Sequence, residues 1–284
     1  MLEKRIRKPA WLKVQLGNNG NFTHTEKIVR KNNLHTICQS GKCPNMGECW
    51  NAGTATFMIA GDVCTRSCKF CNVKTGRPGP LDVGEPLKIA NTVKEMKLVH
   101  AVITSVDRDD LPDYGAAHWA ASILAIKEIN PHVTMEALIP DFNGQTHLLD
   151  IIIAAHPDII SHNMETVRRL TPKVRSVAKY DVSLAVLKYI YEQGIAAKTG
   201  LMVGLGESKE EVVATMHDII ATGCSLLSIG QYLQPSKANI KVEEYVHPDT
   251  FAYYKKEALA MGFRHVESGP LVRSSYNSIK FLSS

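Results

Sequence analysis

"TATFMIAGDVCTRSCKFC", residues 54–71, sets a short apolar run directly against three cysteines. The run over 54–61 is rich in Thr, Phe, Met and Ile and stops at Gly61, which reads as a buried strand bounded by a turn. Three residues beyond it begins C-x3-C-x2-C, a triplet packed so closely that it must lie on a loop.

Five more runs share the character of the first: "LVHAVITSV" (98–106), "HVTMEALI" (132–139), "PDIISHN" (157–163), "IAAKTGLMVG" (195–204) and "SLLSIGQYL" (225–233). Between them lie helical patterns with apolar residues at i, i+3 and i+4, such as "YGAAHWAASILAIKEI" (114–129) and "SKEEVVATMHDIIATG" (208–223). Asp181 and Ser208 read as helix N-caps, with Gly194 and Gly223 as the matching stops. Six strands separated by helices predict βαβ units and a parallel sheet, curved into a partial (βα)6 TIM-type barrel. The pattern alone also admits a flat doubly wound sheet. In a barrel, chemistry gathers at the C-terminal ends of the strands, and the cysteine triplet falls at one of them. Residues 1–53 precede the first strand as an N-terminal extension, 54–247 make the barrel core, and 248–284 add a C-terminal helix and tail.

With 284 residues, 44% hydrophobic and 21% charged, the chain has the composition of an enzyme-sized globular protein. No stretch approaches the roughly 20 apolar residues that span a bilayer, so no membrane partner is expected. The net charge of +5 is spread along the chain rather than clustered, which argues against nucleic acid and suits an acidic protein partner. The opening "MLEKRIRKPAWLKVQL" has no apolar signal segment, which predicts a cytoplasmic protein.

Six of the seven cysteines lie between positions 38 and 71. That clustering, with one left over, argues against a secreted disulfide framework and for metal ligation in a reducing compartment. Cys224, alone in an apolar run, reads as a buried thiol. Buried thiols or structural zinc are the plain alternatives for the rest, but zinc sites usually pair cysteines as C-x2-C twice or complete the set with histidine. Three thiolates on three irons of a 4Fe-4S cluster leave one iron open to another ligand.

Cys64, Cys68, Phe70 and Cys71 match C-x3-C-x-aromatic-C, and here the sequence resembles the radical S-adenosylmethionine (SAM) superfamily. The resemblance implies that S-adenosyl-L-methionine chelates the open iron and is cleaved reductively to a radical that takes hydrogen from unactivated C–H bonds. "GLMVGLGE" (200–207), with Gly204, is similar to the superfamily's adenine-side glycine element. "HNMET" (162–166) resembles the segment that sets Asn163 and Glu165 on the ribose hydroxyls, although a capping Asn with an acid in the first turn would look the same. Arg175 is a candidate for the cofactor's methionyl carboxylate and Lys198 for a polar contact near the cofactor, or else both are interstrand or surface charges. Thr104 and Ser105 are candidates for its amine, or else strand-end caps. Asp107, Arg108 and Asp109 form either an ion-pair network at the cavity mouth or a solvated charge run.

A second triplet, Cys38, Cys43 and Cys49, is spaced C-x4-C-x5-C, and "RSSY" stands at 273–276. With both triplets and this element the chain resembles the lipoyl synthase family, and "TSVDRDDLPD" (104–113), "EALIPDF" (136–142) and "IGQYLQPS" (229–236) extend the likeness over nearly its whole length. Departures are local: Tyr114 stands where glycine is expected, and Ser161 and Arg168 differ from the usual pattern. The resemblance implies an auxiliary 4Fe-4S cluster on Cys38, Cys43 and Cys49 with Ser274 as fourth ligand, Ser275 being the alternative. It implies a sulfurtransferase that inserts sulfur at C6 and C8 of an octanoyl-lysine chain, the sulfur coming from that cluster. The implied partners are an octanoylated lipoyl carrier domain (the E2 subunit of a dehydrogenase complex or the glycine-cleavage H protein), an electron donor such as flavodoxin or ferredoxin, and an iron-sulfur carrier that rebuilds the spent cluster.

Overall fold

In a computed structural model the described residues are 7–13, 20–276 and 278–282. The N-terminal part holds α1 (Gly20–Lys31), a two-residue strand β1 (His35–Thr36), α2 (Ile37–Ser40) and α3 (Met46–Asn51). The repeats follow as β2 (Thr56–Ile59), the short ribbon β3 (Val63–Cys64) and β4 (Lys74–Thr75), α4 (Glu85–Glu95), β5 (His100–Ser105), α5 (Ala116–Ile129), β6 (Thr134–Leu138), α6 (Thr146–Ile153) and β7 (Ile159–Ser161). They continue as α7 (Thr171–Val174), α8 (Tyr180–Glu192), β8 (Ala196–Val203), α9 (Lys209–Ile220), β9 (Leu226–Gln231), α10 (Pro248–Ala260) and β10 (His265–Gly269).

The main sheet runs β1-β2-β5-β6-β7-β8-β9-β10, with every pair parallel except β1 on β2. All six expected strands are present in the expected order, and the partial barrel is the architecture found. Two additions lie outside that reading. β1 borders the sheet antiparallel to β2, and β10 extends it as a further parallel strand on β9, through His265↔Leu226 to Gly269↔Gly230. The segment "HVESG" of β10 buries only Val266, so it lacks the apolar run by which the other strands announce themselves.

Because helices cover the outside, the strands bury both faces and read as apolar runs rather than alternating ones. β8 nevertheless alternates by chemistry: Ala197, Thr199 and Leu201 pack outward, while Lys198, Gly200 and Met202 face the lumen, with Gly200 and Met202 lining its cavity. Cys224 is fully buried with Sγ 3.3 Å from the Ala197 carbonyl, the buried thiol expected. Ser208 caps α9 in a reciprocal capping box with Glu211, as read from the sequence. Asp181 does not cap: Lys179 is the N-cap of α8, and Asp181 lies in its first turn, 2.6 Å from the Arg168 guanidinium.

Candidate functional site

The cysteine loop leaves β3 and is pinned wherever it could drift. At its base β3 pairs with β4, and the Gly76 amide donates to the Cys64 carbonyl at 3.0 Å. On its flanks the Thr65 amide donates to Asp107 and the Lys69 amide to Val174, and the Lys69 carbonyl accepts from Ile240. Asn239 donates to the Cys71 carbonyl at 2.7 Å. The loop is therefore held through its backbone by bonds to three separate segments of the chain.

Arg66, between the first two cysteines, does most of this tethering. Its guanidinium is buried and meets three carboxylates: Asp109 at 2.7 Å, Asp141 at 2.8 Å and Asp107 at 3.4 Å. Burial pushes the Asp141 carboxyl up, but Arg66 outweighs it and holds the acid below its usual range. For Asp107 burial prevails over Arg66, and the carboxyl titrates above its usual range. The expected ion-pair network at Asp107 and Asp109 is real, but Arg66 centres it. Arg108 turns away, to Asp110 at 2.8 Å and the Gly79 carbonyl at 3.0 Å. Arg66 was missed from the sequence, where the available signal was an arginine between the first two cysteines and a strand end with three aspartates.

The second triplet hangs on the short N-terminal helices. Cys38 lies in α2, whose cap Thr36 accepts from the Gln39 amide, Cys43 in the turn after it, and Cys49 in α3. The tail reaches this region from the other end of the chain: Asn45 donates to the Leu271 carbonyl at 2.7 Å, and Tyr276 to Glu48 at 3.0 Å. Ser274 and Ser275 then cross the lumen. Ser275 accepts from Thr56 of β2 at 2.8 Å, and Ser274 accepts from Asn163, beyond β7, at 2.8 Å.

One cavity of about 350 Å³ at the C-terminal strand ends joins all of this. Cys64, Cys68 and Cys71 line it together with Cys38, Cys43 and the two serines. Cys49 is half-buried behind them.

Of the residues proposed for the cofactor, Phe70, Thr104, Ser105, Asn163, Glu165 and Arg175 all line this cavity. Thr104 donates to the Leu138 carbonyl at 3.1 Å, and Ser105 accepts from the Trp119 indole at 3.2 Å. Asn163 gives its amide hydrogens to Glu165 and Ser274, while its buried Oδ1 has no partner. Desolvation pushes the Glu165 carboxyl up, against Arg175 and Asn163. Arg175 donates to Ser183 at 2.8 Å, whose hydroxyl meets His162 Nε2 at 2.9 Å, and His162 Nδ1 faces the Ile139 carbonyl at 3.0 Å. A carbonyl only accepts, so Nδ1 carries the hydrogen and Nε2 accepts from Ser183. Burial holds His162 down to about 4, neutral at physiological pH. His162 was also missed, since a histidine at a strand end carries no distinguishing spacing.

Two of the candidates lie outside the cavity lining. Lys198 does not line the cavity: it lies one layer below, with Nζ 2.8 Å from Glu136 and both side chains buried, so it is the interstrand charge of the two readings. Gly204 is likewise outside the lining. Its amide donates to the Glu207 carboxylate, and a Cβ at this position, at the end of β8, would strike the Gln231 side chain and the Glu244 carbonyl.

The donor set fits two iron-sulfur clusters. Burial pushes Cys64 and Cys49 up to about 12 and Cys71 to about 11, so all three are neutral thiols at pH 7. A thiolate at such positions requires the positive charge of a metal beside it. Soft sulfur donors in two sets of three suit iron-sulfur clusters better than a single hard cation. The unpartnered Asn163 Oδ1 and the desolvated Glu165 leave acceptors in the wall for a ligand bearing hydroxyl donors.

A sequence model of the radical SAM superfamily matches residues 58–219. The chain is 60% identical to a lipoyl synthase of Parabacteroides distasonis over 281 residues, covering 99% of this chain and 100% of that one. It is 55% identical to a lipoyl synthase of Treponema denticola, covering 98% of this chain and 96% of that one. Among solved structures, methylornithine synthase superposes with a TM-score of 0.59 at 13% identity over 74% of this chain and 62% of that one, a likeness of fold.

Proposed function

This chain belongs to the lipoyl synthase family of the radical SAM superfamily, and from that premise we propose how its residues divide the work. The protein is a radical SAM sulfurtransferase that inserts sulfur at C6 and C8 of a protein-bound octanoyl-lysine to give lipoyl-lysine, using two 4Fe-4S clusters and S-adenosyl-L-methionine. When bound, these groups supply a carbon-centred radical able to take hydrogen from an unactivated C–H bond, and the sulfur that replaces it.

In our reading Cys64, Cys68 and Cys71 hold the first cluster through three irons, and the absence of a fourth cysteine leaves a vertex for the methionyl end of the cofactor. Arg175, already oriented by Ser183, meets the carboxylate there, and Thr104 and Ser105 face the amine. Asn163 and Glu165 take the ribose hydroxyls with their spare acceptor capacity, and Phe70 packs in the wall beside them. Cys38, Cys43, Cys49 and Ser274 would hold the auxiliary cluster, the serine oxygen being the harder and weaker donor of the four. Leu138, Ile139, Met202 and Val106 give the cavity apolar wall for an alkyl chain and exclude water from the reacting carbon. Residues 1–53, 54–247 and 248–284 act as auxiliary-site arm, radical core and serine-bearing tail.

The observation that carries this reading is that Cys64, Cys68 and Cys71, Cys38 and Cys43 of the second triplet, and Ser274 line one cavity, with Cys49 half-buried behind them. A tethered chain can meet both sites without leaving the protein. The substrate is an octanoylated carrier protein; we propose the E2 subunit or the H protein as that carrier, flavodoxin or ferredoxin as donor, an iron-sulfur carrier for rebuilding, and the cytoplasm as location. Among the described residues no helix is long and apolar enough to cross a membrane.

Mass spectrometry of an octanoyl-lysine carrier peptide after anaerobic turnover tests the substrate and the reaction together. Sulfur-bearing product with about eight irons and eight sulfides per chain is expected for two clusters. About four of each, or stoichiometric zinc, would overturn the two-cluster reading.

A further inference from the structure

The chain does not end at the serine pair. Beyond it, residues 278–282 form a short 3-10 helix beneath the cavity, at the N-terminal ends of the strands. Phe281 is fully buried there against Ile159 of β7 and Leu226 of β9, with Ala196 of β8 beside them. Its ring lies 4.1 Å beneath the Lys198 ammonium and 4.5 Å from the His265 ring of β10. Lys198 is held in turn by both oxygens of Glu136, at 2.8 and 3.0 Å, and Glu136 also accepts from Ser161 at 2.6 Å. A buried ion pair across β6 and β8, in the lumen of a barrel, thus presents its cation to one aromatic ring of the tail.

The tail reaches that ring by a channel cut into the barrel wall. On β9 a Cβ at Gly230 would strike the Val272 carbonyl, and on β8 a Cβ at Gly200 would lie 2.8 Å from Asn163 Oδ1 and 3.1 Å from the Ser274 hydroxyl. Glycine inside a strand marks the close approach of another backbone or group, and here two such positions on neighbouring strands admit the tail. Ser274 and Ser275 are therefore suspended between two fixed points: Gly269 in the β9–β10 ladder above and Phe281 below.

We propose that Phe281, seated on the Lys198 and Glu136 pair, is a positioning residue for the auxiliary-cluster serine. The ring takes up the slack of the segment after Ser274, so that the hydroxyl is presented at the cavity wall rather than left on a free chain end. A weak oxygen ligand gains most from such presentation, because holding it in place removes the entropy that binding would otherwise cost. This inference rests on the assignment of Ser274 as ligand.

The test is anaerobic reconstitution of the full-length wild type, Phe281→Ala, Phe281→Leu, Lys198→Met and Ser274→Ala, with iron and sulfide counted and each cluster followed by its Mössbauer signature. Phe281→Ala should lose auxiliary-cluster iron, falling from about eight toward about four per chain, while the first cluster and reductive cleavage of S-adenosylmethionine are kept. Phe281→Leu, which refills the apolar seat, should recover most of the loss, and Lys198→Met should fall between. Full auxiliary iron in Phe281→Ala, with wild-type resistance to a chelator, overturns the proposal, as does equal loss of both clusters in Phe281→Ala and Phe281→Leu alike. If Ser274→Ala also retains full auxiliary iron, the ligand assignment fails; if Ser274→Ala loses it and Phe281→Ala does not, only the anchor fails. Removal of residues 277–284 is the second variant should Phe281→Ala fold poorly: the same selective loss is expected, and retention of both clusters overturns the anchor.

Discussion

Replacing Arg66 with methionine keeps most of the side-chain volume and removes the cation at the centre of three carboxylates. The pair with Asp141 decides the magnitude, because these side chains are 4% and 1% exposed and the remaining carboxylate would have no water to turn to. Breaking such a pair from one side costs about 3–5 kcal/mol. Asp107 and Asp109, 23% and 26% exposed, are partly screened by solvent and contribute about 0.2–1 kcal/mol each. A loss of about 4 kcal/mol is therefore expected, which lowers the melting temperature by roughly 8 °C in a chain of this size. The assay is urea unfolding of the metal-free protein under anaerobic conditions, followed by far-UV circular dichroism, with stability read from the midpoint at unchanged slope. Adding Asp141→Asn removes the stranded charge and should return about 2 kcal/mol. A loss below about 1 kcal/mol for Arg66→Met, the range of an exposed ion pair, would refute the claim that this network fixes the loop.

His162 gives a pH dependence with a definite sign. Its folded value of about 4 lies below that of an unfolded histidine, so its contribution is fully present above about 6.5 and is lost as pH falls through 4. It should remove about 3 kcal/mol across that window, and His162→Gln should flatten the acid limb; an unchanged slope in the variant argues against it. Since burial raises Cys49, Cys64 and Cys71, cluster loading must expel protons, and reconstitution followed by absorbance should run several-fold faster at pH 8.5 than at 6.5; a flat profile would contradict the thiol state described. Cys49→Ala should abolish sulfur insertion yet spare reductive cleavage of S-adenosylmethionine, whereas Cys68→Ala should remove both. Liquid chromatography of the nucleoside product separates these cases, and cleavage lost in Cys49→Ala would merge the two proposed sites.

The sequence was most informative where physics repeats itself. Six buried parallel strands must be apolar runs, and helices between them must carry a 3.6-residue stripe, so the barrel was legible from periodicity. The cysteine triplets were legible from ligand count. What escaped was chemistry assembled from distant singletons. Arg66 has no pattern, and its partners Asp107, Asp109 and Asp141 come together only when β5 and β6 align. Lys198 stood from the sequence as either a cofactor contact or an interstrand or surface charge, and its own strand does not separate the readings. The strand period puts it two residues before Gly200, where it reaches across β7 to complete an ion pair with Glu136. β10 escaped because its partners above and below, the tail and α10, supply the apolar contacts that its own sequence lacks.

The bond from Asn45 to the Leu271 carbonyl spans 226 positions, and Tyr276 to Glu48 spans 228. During synthesis at about 5–20 residues per second, the segment bearing Cys38, Cys43 and Cys49 leaves the ribosome roughly 10–45 s before the strand and tail that wall it in. For that interval these three thiols stand without the segments that enclose them, open to oxidation or to the wrong ion. With Ser274 as the proposed fourth ligand, that donor set closes only once the segment after β10 has been made.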